Sequence, residues 1–265
     1  STLINFKRKF NCKIMIYCIS KSPTIKNFYE KDIKFLKLDI TKKKIIQKFD
    51  LVFFCAGYSS PASFTKDKDT LFISSYGLNN AFFSLKRKGK FVFFSSSEIY
   101  NGLKKNFNET QSGNTNYDDK RATYINGKKF GETLSHSKIN EGNSVLILRL
   151  SLAYGAGPKV SDTRVLNDFI LKALKDKKIS MLDKGHSLRK YIFIGDVMIY
   201  MFKLLAQNKI GTYNICGKSK TTILNLAKII SKQTNTILTF PNKDNSMPGA
   251  PKIVNISFEK IKKVY

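Results

Sequence analysis

A tyrosine and a lysine stand four residues apart in the stretch TYINGKKFGE, residues 123–132. On a helix, residues at this spacing share a face, so the Lys128 ammonium would lie beside the Tyr124 phenol. A nearby cation favours the phenolate and lowers the pKa of the phenol, which suits a tyrosine to act as a general base. The pair predicts proton abstraction from a substrate hydroxyl while hydride leaves the same carbon.

Chance must be set against this pair because the chain is rich in lysine. The sequence holds 12 Tyr, and 47 of its 265 residues are Lys or Arg, so random placement gives about two Tyr-x-x-x-basic spacings. Two further examples occur, Tyr17…Lys21 and Tyr117…Arg121. The first begins inside a predicted strand and runs beyond its end, so its side chains are not expected to meet. The spacing alone therefore decides nothing, and the neighbouring elements must be considered.

Three serines directly follow an apolar run in FVFFSSSEIY, residues 91–100. The run predicts a buried strand, and ligands bind at the carboxyl ends of the strands in a parallel sheet. A serine at this point could hold the substrate hydroxyl that the tyrosine deprotonates. The serines could also be ordinary turn residues, and the sequence leaves that alternative open.

Apolar runs of strand length alternate with longer helical patterns in the first part of the chain. The predicted strands are apolar on both faces, and they are Lys13–Ile19, Ile33–Leu38, Leu51–Cys55, Phe91–Ser95 and Val145–Leu150. Helices are predicted at Asp69–Lys88, ending at an αL Gly89, and at Tyr117–Asn140. The alternation predicts an α/β fold with a doubly wound, Rossmann-like parallel sheet.

The pattern changes after about residue 155. The predicted helices there are Thr163–Leu174, Asp196–Ala206 and Ile223–Ser231, and short strands are predicted near Tyr191–Ile194 and Thr212–Ile215. We interpret residues 1–155 as a dinucleotide-binding domain. Residues 156–265 would form a smaller C-terminal α/β substrate lobe, interleaved with the first domain at the carboxyl edge of its sheet.

The formal net charge of +28 is extreme and could indicate a nucleic-acid binder. The basic residues are spread along the chain in short clusters, without an arginine-rich arm or a basic tail. We therefore interpret most of this charge as solvated surface that also attracts an anionic small ligand. Nucleic acid is disfavoured as a partner.

Cysteine and histidine usage and the lengths of the apolar runs exclude several classes of protein. The four cysteines form no C-x-x-C motif, and three of them lie in apolar runs typical of buried free thiols. With only two histidines, no metal site is predicted. No apolar run reaches the length of a membrane span, and the first ten residues lack the features of a signal peptide. We expect a cytoplasmic protein in a reducing setting, without membrane contact.

Six segments stand in a fixed order along nearly the whole chain: LVFFCAG followed by Pro61, FVFFSSSEIY, YINGKKFGE, LILRLSLAYGAGP, LRKYIFIGDV and GTYNICG. Together they resemble the extended short-chain dehydrogenase/reductase family, the NAD-dependent epimerases, dehydratases and decarboxylases of nucleotide sugars. The resemblance implies that Tyr124 is the base, that Lys128 tunes its pKa and anchors the cofactor ribose, and that Ser96 holds the substrate hydroxyl. The implied substrate is a nucleotide-diphosphate sugar, and the implied cofactor is NAD or NADP.

The same resemblance places cofactor contacts at several strand ends. These contacts are Cys55, Ala56 and Gly57, then Ser95, Tyr124 and Lys128, and finally Asp39 with Ile40 as an adenine-contacting pair. Asp39 could equally be a strand-end cap. NAD-preferring relatives carry Asp or Glu at the end of the second strand, where this chain has Ser20 and Lys21. Those two residues could meet a 2′-phosphate, which slightly favours NADP.

Glu98 follows Ser96 by two residues, a position where 4,6-dehydratases and UDP-glucuronate decarboxylases of the family carry a carboxylate. A carboxylate there could move a proton at carbon 5 of a 4-keto intermediate, although a solvated turn residue remains the alternative. The stretch DTRVLNDFILKAL, residues 162–174, is most similar to the decarboxylase subgroup. The substrate contacts implied by the resemblance are Ser97, Arg164 and, for the diphosphate, Arg189.

The glycine-rich turn G-x-x-G-x-x-G of the family, which binds the cofactor pyrophosphate, is absent from this sequence. The opening residues STLINFKRKF resemble the segment that follows the last glycine, so we expect an N-terminally truncated fold without the first strand and its loop. Loss of that central strand would expose two neighbouring sheet edges and weaken NAD(P) binding. Leu152 is a second departure, because many relatives have an asparagine there that contacts the substrate.

Two other function classes stay open at this stage. A non-catalytic binding protein could keep the fold and use its charge for RNA or a protein partner, and a fragment could lack any function of its own. The intact Ser96, Tyr124 and Lys128 speak against the binding protein. Relatives are commonly dimers through two helices per subunit, one of them the helix of Tyr124, so a homodimer is expected by analogy.

Overall fold

The computed structural model describes residues 2–22, 32–58, 69–105, 107–157, 162–242 and 253–264. Its largest sheet has four parallel strands in the order β3-β4-β5-β9, which are Phe49–Phe54, Leu85–Ser96, Ser144–Leu150 and Gly211–Ile215. Parallel neighbours require crossover connections, which helices usually supply. The predicted doubly wound α/β fold is confirmed.

Helices lie between the strands along the chain. They are α1 Thr2–Phe10, α2 Asp69–Phe72, a π-helical segment Ile73–Gly77, α3 Leu78–Phe82, a 3₁₀ helix Ser97–Tyr100, α4 Ala122–Asn140, α5 Val165–Asp176, α6 Ile194–Ala206, α7 Ile223–Thr234 and α8 Glu259–Lys262. The first three segments after β3 follow one another without a break. They act as a single helical run over residues 69–82.

Successive residues of β4 point to opposite faces of the sheet, and each face has its own core. Phe91 and Phe93 are fully buried in the core that includes Leu78 of α3. Val92 is fully buried in the other core, together with Met201 of α6. Coverage of both faces explains why the strand is apolar without alternation.

A second parallel sheet contains only β1 Ile16–Ser20 and β2 Ile33–Lys37. It lies against the large sheet, since the Tyr17 and Phe49 rings are 5.2 Å apart. No described strand is hydrogen-bonded between β1 and β3, so one edge of each strand lacks a described β-partner. Two open edges were expected from the sequence at this point.

The predicted helix Asp69–Lys88 is wrong in its second part. The helical run ends at Phe82, and the chain is already extended from Leu85, which pairs with Phe49 of β3. Gly89 does not end a helix with an αL residue; a Cβ at this position would come within 2.9 Å of the Lys86 carbonyl oxygen and 3.2 Å of that of Asp50. Pairing with β3 therefore overrides a local sequence that suits a helix.

The helix that carries Tyr124 starts later than its predicted first residue, Tyr117. The segment before Ala122 forms turns, in which the Ala122 N–H donates to the Asp119 carbonyl at 2.8 Å. The Asp119 carboxylate also accepts the Arg121 N–H at 2.8 Å. An aspartate that binds the backbone two residues onward favours a turn, which accounts for the late start.

The chain from Leu152 onward forms two smaller sheets. One joins β6 Leu152–Tyr154, β8 Leu188–Phe193 and β10 Lys220–Thr222, and the other joins β7 Lys178–Ser180 and β11 Ile237–Thr239. α5 and α7 pack on the second sheet around Phe169, Ile179 and Ala227. β9 returns to the large sheet, so the two segments of the chain interleave. The division into residues 1–155 and 156–265 stays a prediction.

The oxidation state of the cysteines and the length and hydropathy of the helices are relevant to the compartment predicted from the sequence. All four cysteines are free thiols, with Cys216 buried and Cys55 exposed. Within the part of the chain that the structure describes, no helix is both long enough and apolar enough to cross a bilayer.

Candidate active site

Ser96 and Tyr124 are joined by a hydrogen bond between their hydroxyl groups. Ser96 is the last residue of β4, and its oxygen also accepts the Glu98 N–H at 3.2 Å. Tyr124 lies in the first turn of α4 and is 9% exposed. The end of the strand and the start of the helix therefore bring the two predicted residues to one point.

Lys128 lies one turn after Tyr124 on the same face of α4. Its Nζ donates to the Phe94 carbonyl at 2.8 Å and lies 5.9 Å from the centre of the Tyr124 ring. Burial lowers the pKa of Lys128 to about 8, and the charges of Cys55 and Glu132 oppose that shift. The lysine is thus fixed beside the phenol and loses its proton more easily than an exposed lysine.

The electrostatics of Tyr124 differ from the sequence expectation. Burial raises the pKa of the phenol, while the hydrogen bond from Ser96 and the charge of Arg121 act in the opposite direction. Arg121 is therefore a cation that favours the phenolate and that the sequence did not single out. Lys128 directs its ammonium to the Phe94 carbonyl, and its expected effect on the pKa of Tyr124 stays a prediction.

Glu98 lies in the 3₁₀ helix that follows β4, and its carboxylate forms an ion pair with the Arg121 guanidinium. The two side chains are 20% and 12% exposed, respectively. A solvated turn residue would be exposed and unpaired, so that alternative does not describe Glu98. The pair ties the strand end that holds Ser96 to the start of the helix that holds Tyr124.

Arg121 is the functional candidate that the sequence reasoning missed. It was considered only as the end of the chance spacing Tyr117…Arg121. The signal that could have identified Arg121 in the sequence is its position three residues before Tyr124, since residues three apart also share a helix face. Tyr117, in contrast, is 93% exposed and lies outside the helix.

The predicted substrate residues do not all gather at this cluster. Arg189 of β8 is close enough for its charge to lower the pKa of Arg121, and its Nη1 donates to the Leu188 carbonyl at 2.9 Å. Ser97 is buried in the 3₁₀ helix beside Glu98. Arg164, at the start of α5, is bound by Asp162 through contacts of 2.5 to 3.0 Å. The structure records no contact between Arg164 and the other candidates.

A buried polar network lies behind the cluster. The Glu132 carboxylate accepts Arg149 Nη2 at 2.7 Å and the Ser95 hydroxyl at 2.5 Å. Arg149 Nη1 also donates to the Tyr100 hydroxyl at 2.9 Å. The Ser95 side chain therefore points into the core. Its backbone is the part of the residue that faces the carboxyl end of β4. The network joins β4, β5, α4 and the 3₁₀ helix, and it fixes the elements that carry Ser96 and Tyr124.

The predicted cofactor residues of the small sheet lie at the carboxyl ends of β1 and β2. The Lys21 Nζ lies 3.7 Å from the Asp39 carboxylate, which also accepts the Thr41 N–H at 3.0 Å. Hydrogen bonds from Thr41 hold the pKa of Asp39 below its usual value. Ser20 accepts the Ser22 N–H at 3.3 Å. Ile40 packs toward the helical run, with its side chain 3.3 Å from the Cβ position of Gly77.

Cys55, Ala56 and Gly57 follow β3 and can be tested for their fit to a dinucleotide. Gly57 has a φ of +132°, and among the described residues, which do not include 59–68, no atom would lie within 4 Å of a Cβ added there. Cys55 is exposed and is coupled electrostatically to Lys128, while surrounding protein atoms raise the pKa of its thiol to about 11. A positive-φ glycine at the carboxyl end of a parallel strand, with a lysine nearby, fits a nicotinamide nucleotide.

A cleft of about 500 Å³ lies in the C-terminal part of the molecule, between β8, α6 and the segment before β10. Its walls include Tyr154, Phe193 and Lys218. None of Ser96, Tyr124 or Lys128 lines it. The cleft is therefore distinct from the hydroxyl cluster of Ser96 and Tyr124. One residue of its wall, Tyr191, is coupled electrostatically to Arg189.

A sequence model of the NAD dependent epimerase/dehydratase family matches residues 9–216 of this chain. UDP-glucuronic acid decarboxylase 4 of Arabidopsis thaliana is 26% identical over 216 residues, which are 80% of this chain and 48% of that protein. The chain therefore spans about half the length of the curated relatives that it matches.

Solved structures share the fold over most of the chain. The epimerase Mth375 of Methanothermobacter thermautotrophicus has a TM-score of 0.80 at 18% identity, covering 100% of this chain and 82% of the other. UDP-glucuronic acid 4-epimerase of Bacillus cereus, solved with UDP-glucuronic acid and NAD, has a TM-score of 0.73 at 22% identity, covering 89% and 76%. At these identities the likeness shows the fold alone.

Proposed function

The chain belongs to the NAD dependent epimerase/dehydratase family, and we propose that it acts on a nucleotide-diphosphate sugar that is oxidised transiently at carbon 4. The observation that carries the proposal is the hydrogen bond between the Ser96 and Tyr124 hydroxyls at the carboxyl edge of the sheet. Two hydroxyls that share a hydrogen bond can both reach one sugar hydroxyl. The same contact weighs against a purely non-catalytic role in binding RNA or another protein.

Tyr124 takes the proton of the sugar hydroxyl in this proposal, and Ser96 holds that hydroxyl in line. Lys128 orients the cofactor ribose and keeps a positive charge beside the site below about pH 8. A bound nicotinamide supplies the acceptor for the hydride of carbon 4. Cys55, Ala56 and Gly57 would hold it from the end of β3, with Ser95 contributing backbone from β4.

Glu98 would serve a proton transfer at carbon 5 of the keto sugar. Its carboxylate is held by Arg121 at the strand end, next to the hydroxyl cluster. Dehydration removes the proton of carbon 5 and expels the hydroxyl of carbon 6, whereas decarboxylation breaks the bond between carbon 5 and the carboxylate and then needs a proton delivered to carbon 5. Both routes pass through an enolate of the carbon 4 ketone, so a carboxylic group beside carbon 5 suits either one. The decarboxylase named above, at 26% identity, supports UDP-glucuronic acid as the first substrate to test. Arg189 would bind the diphosphate of that substrate, with Ser97 and Arg164 as further contacts.

Product analysis tests the proposal directly. The protein is incubated with NAD⁺ or NADP⁺ and, in separate reactions, UDP-glucuronic acid, UDP-glucose and UDP-galactose, and the sugars are followed by proton NMR. A pentose product indicates decarboxylation, an inverted carbon 4 indicates epimerisation, and a 4-keto-6-deoxy sugar indicates dehydration. Absence of any product, together with absence of binding by calorimetry, would contradict the proposal.

A homodimer is part of the proposal. The helical run 69–82 packs against α4, since a Cβ at Gly127 would lie 3.1 Å from the Ser74 hydroxyl. Both elements leave large apolar side chains exposed: Phe72 at 53%, Tyr76 at 62% and Phe130 at 50%. Exposed aromatic residues on two packed helices are suited to contact a second copy. A cytoplasmic location is also proposed and is supported by the four free thiols. A nucleic-acid partner is not proposed, because the basic residues are spread along the chain in short clusters.

A further inference from the structure

Arg121 is anchored at the beginning of α4 by its own backbone. Its N–H donates to the Asp119 carboxylate at 2.8 Å, and its carbonyl accepts the Ile125 N–H at 3.0 Å. Asp119 is itself tied to the segment after the 3₁₀ helix, because its other carboxylate oxygen accepts the Asn101 side chain at 3.4 Å. With both ends of the residue fixed, the guanidinium leaves the helix from a defined point, one turn before Tyr124.

The charge of Arg121 acts on two groups of the proposed reaction. Its guanidinium is ion-paired with Glu98 and is only 12% exposed, so water screens its field weakly. The same charge favours ionisation of the Tyr124 phenol. A guanidinium keeps its charge throughout the pH range in which an enzyme works, whereas Lys128, with a pKa of about 8, does not.

A structural role alone is the competing explanation. The ion pair could merely fasten the 3₁₀ helix to α4, and its loss would then lower stability without changing the chemistry of Tyr124. Two neighbours argue for more than fastening. Arg189 lies close enough for its charge to lower the pKa of Arg121, and the charge of Arg121 in turn favours the Tyr124 phenolate.

We propose that Arg121 is a positioning residue, which fixes the Glu98 carboxylate and directs positive charge at the Tyr124 phenol. The inference rests on the proposed function and gives it a residue outside the Ser-Tyr-Lys set. The charged or titratable groups recorded at Tyr124 itself or at its two neighbouring cations are Arg121 and Lys128 of α4, Glu98 of the 3₁₀ helix, Arg189 of β8, Cys55 after β3, and Tyr58, which packs against Tyr124.

The first test needs no substrate. Tyrosine labelled with ¹³C at Cζ reports phenol ionisation, and the signal lost in Tyr124→Phe identifies Tyr124. At pH 10.5 we expect a smaller ionised fraction in Arg121→Met than in the wild type, by a factor of about three or more. Glu98→Gln should shift the fraction in the opposite direction, because it leaves the guanidinium uncompensated. Equal fractions in all three proteins, including no ionisation in any, would overturn the proposal.

Matched variants separate the electrostatic effect of the side chain at position 121 from an effect of the substitution on folding. Arg8→Met breaks a surface arginine–carboxylate pair with Asp32 and should leave the Tyr124 signal unchanged. Arg121→Lys keeps the charge and should restore at least half of the lost ionisation. If Arg121→Met does not fold by circular dichroism, Arg121→Lys and Glu98→Gln still give opposite shifts from the wild type. A shift of the same size in Arg8→Met would count against the proposal.

Turnover supplies the second test and separates the two proposals. Arg121→Met should lower kcat about 10- to 100-fold with KM changed less than threefold, because Arg121 acts on the chemical step. A rise in KM with kcat unchanged would overturn the positioning role. If no nucleotide sugar is turned over by the wild type, the proposed function fails, while the NMR titration still decides the electrostatic role of Arg121.

Discussion

The Ser96 hydroxyl is hydrogen-bonded to the Tyr124 phenol across the junction between β4 and α4. The two residues lie 28 positions apart in the sequence, and the contact exists because a parallel strand and the next helix bring their ends to the same edge of the sheet. Burial raises the pKa of the phenol, so a second group must favour the ionised form if Tyr124 is to act as a base. Ser96 and Arg121 are the groups that do so.

Removal of the phenol oxygen should abolish the proposed reaction. We expect Tyr124→Phe to lower kcat by about 10²- to 10⁴-fold, the usual contribution of a positioned acid or base, with little change in substrate affinity. Turnover is measured by NMR and binding by calorimetry. Tyr117→Phe, at a 93% exposed position, is the matched control and should keep full turnover. Undiminished turnover of Tyr124→Phe would remove this residue from the mechanism.

Lys128 should make stability depend on pH in the alkaline range. Its pKa is about 8 in the folded protein and 10.5 as an ordinary value, so the unfolded chain binds more protons between these limits. Stability from this site therefore rises with pH across that window and is lost as pH falls through about 8. Relative to the wild type, Lys128→Met should become less stable by up to about 3 kcal/mol between pH 7 and pH 10.5.

Urea unfolding at the two pH values measures this difference. Only the change between the two pH values is interpreted, because the loss of the bond to the Phe94 carbonyl affects both measurements equally. Lys105→Met, at an exposed position, serves as the control. A difference between Lys128→Met and the wild type that does not change with pH would show that Lys128 titrates as an exposed lysine does.

Sequence reasoning located the parts of the site that depend on local pattern. Ser96 is placed by the end of an apolar strand, and Tyr124 with Lys128 by helical spacing, and the structure brings all three together. It missed the pairing of Arg121 with Glu98, which depends on how the loop between the 3₁₀ helix and α4 returns to the end of the strand; the structure describes this loop at 101–105 and 107–121. No local pattern specifies the path of such a loop.

The same distinction between local pattern and tertiary contact explains the errors in the predicted fold. The predicted helix reached Lys88 because the segment Lys86–Lys88 has good helix formers, yet the structure pairs this region with β3. Strand pairing is a tertiary interaction, and it outweighs a propensity difference of a few tenths of a kcal/mol per residue. The apolar centres of the strands were predicted well, because a strand that is buried on both faces has a nearly continuous run of apolar residues.

The buried pair of Arg149 and Glu132 should contribute strongly to stability. Both side chains are less than 10% exposed, so Arg149→Met would leave the Glu132 carboxylate buried without its cation. We expect a loss of about 3–5 kcal/mol in the free energy of unfolding, measured with urea at pH 7. Lys138→Met breaks a surface pair with Glu141 and should cost less than about 1 kcal/mol. Similar losses in the two variants would show that the buried network is not critical.

Lys21 should influence the choice between the two nicotinamide cofactors. Its side chain is 74% exposed at the end of β1, and its ammonium lies 3.7 Å from the Asp39 carboxylate, a long contact that a 2′-phosphate could replace. Lys21→Glu should weaken NADP⁺ about tenfold relative to NAD⁺, as measured by calorimetry with both cofactors. Lys13→Glu makes the same change of charge three residues before β1 begins, at the opposite end of the strand. It should leave the ratio of the NADP⁺ and NAD⁺ affinities unaltered. An unchanged ratio in Lys21→Glu would exclude this residue from cofactor selection.

The exposed aromatic residues of the helical run 69–82 should hold the dimer together. The Phe72 and Tyr76 rings stack on each other at 6.0 Å, which presents a flat apolar surface. A carboxylate in that surface would lose its hydration in the interface without gaining a fixed partner. Phe72→Glu should therefore shift the protein from dimer to monomer in sedimentation velocity, with at least a 100-fold weaker association, on the order of 3 kcal/mol. Ile46→Glu, at a 91% exposed position elsewhere, makes the same chemical change and should leave the dimer intact. A wild type that sediments as a monomer, or a Phe72→Glu variant that stays dimeric, would assign these aromatic residues to another contact.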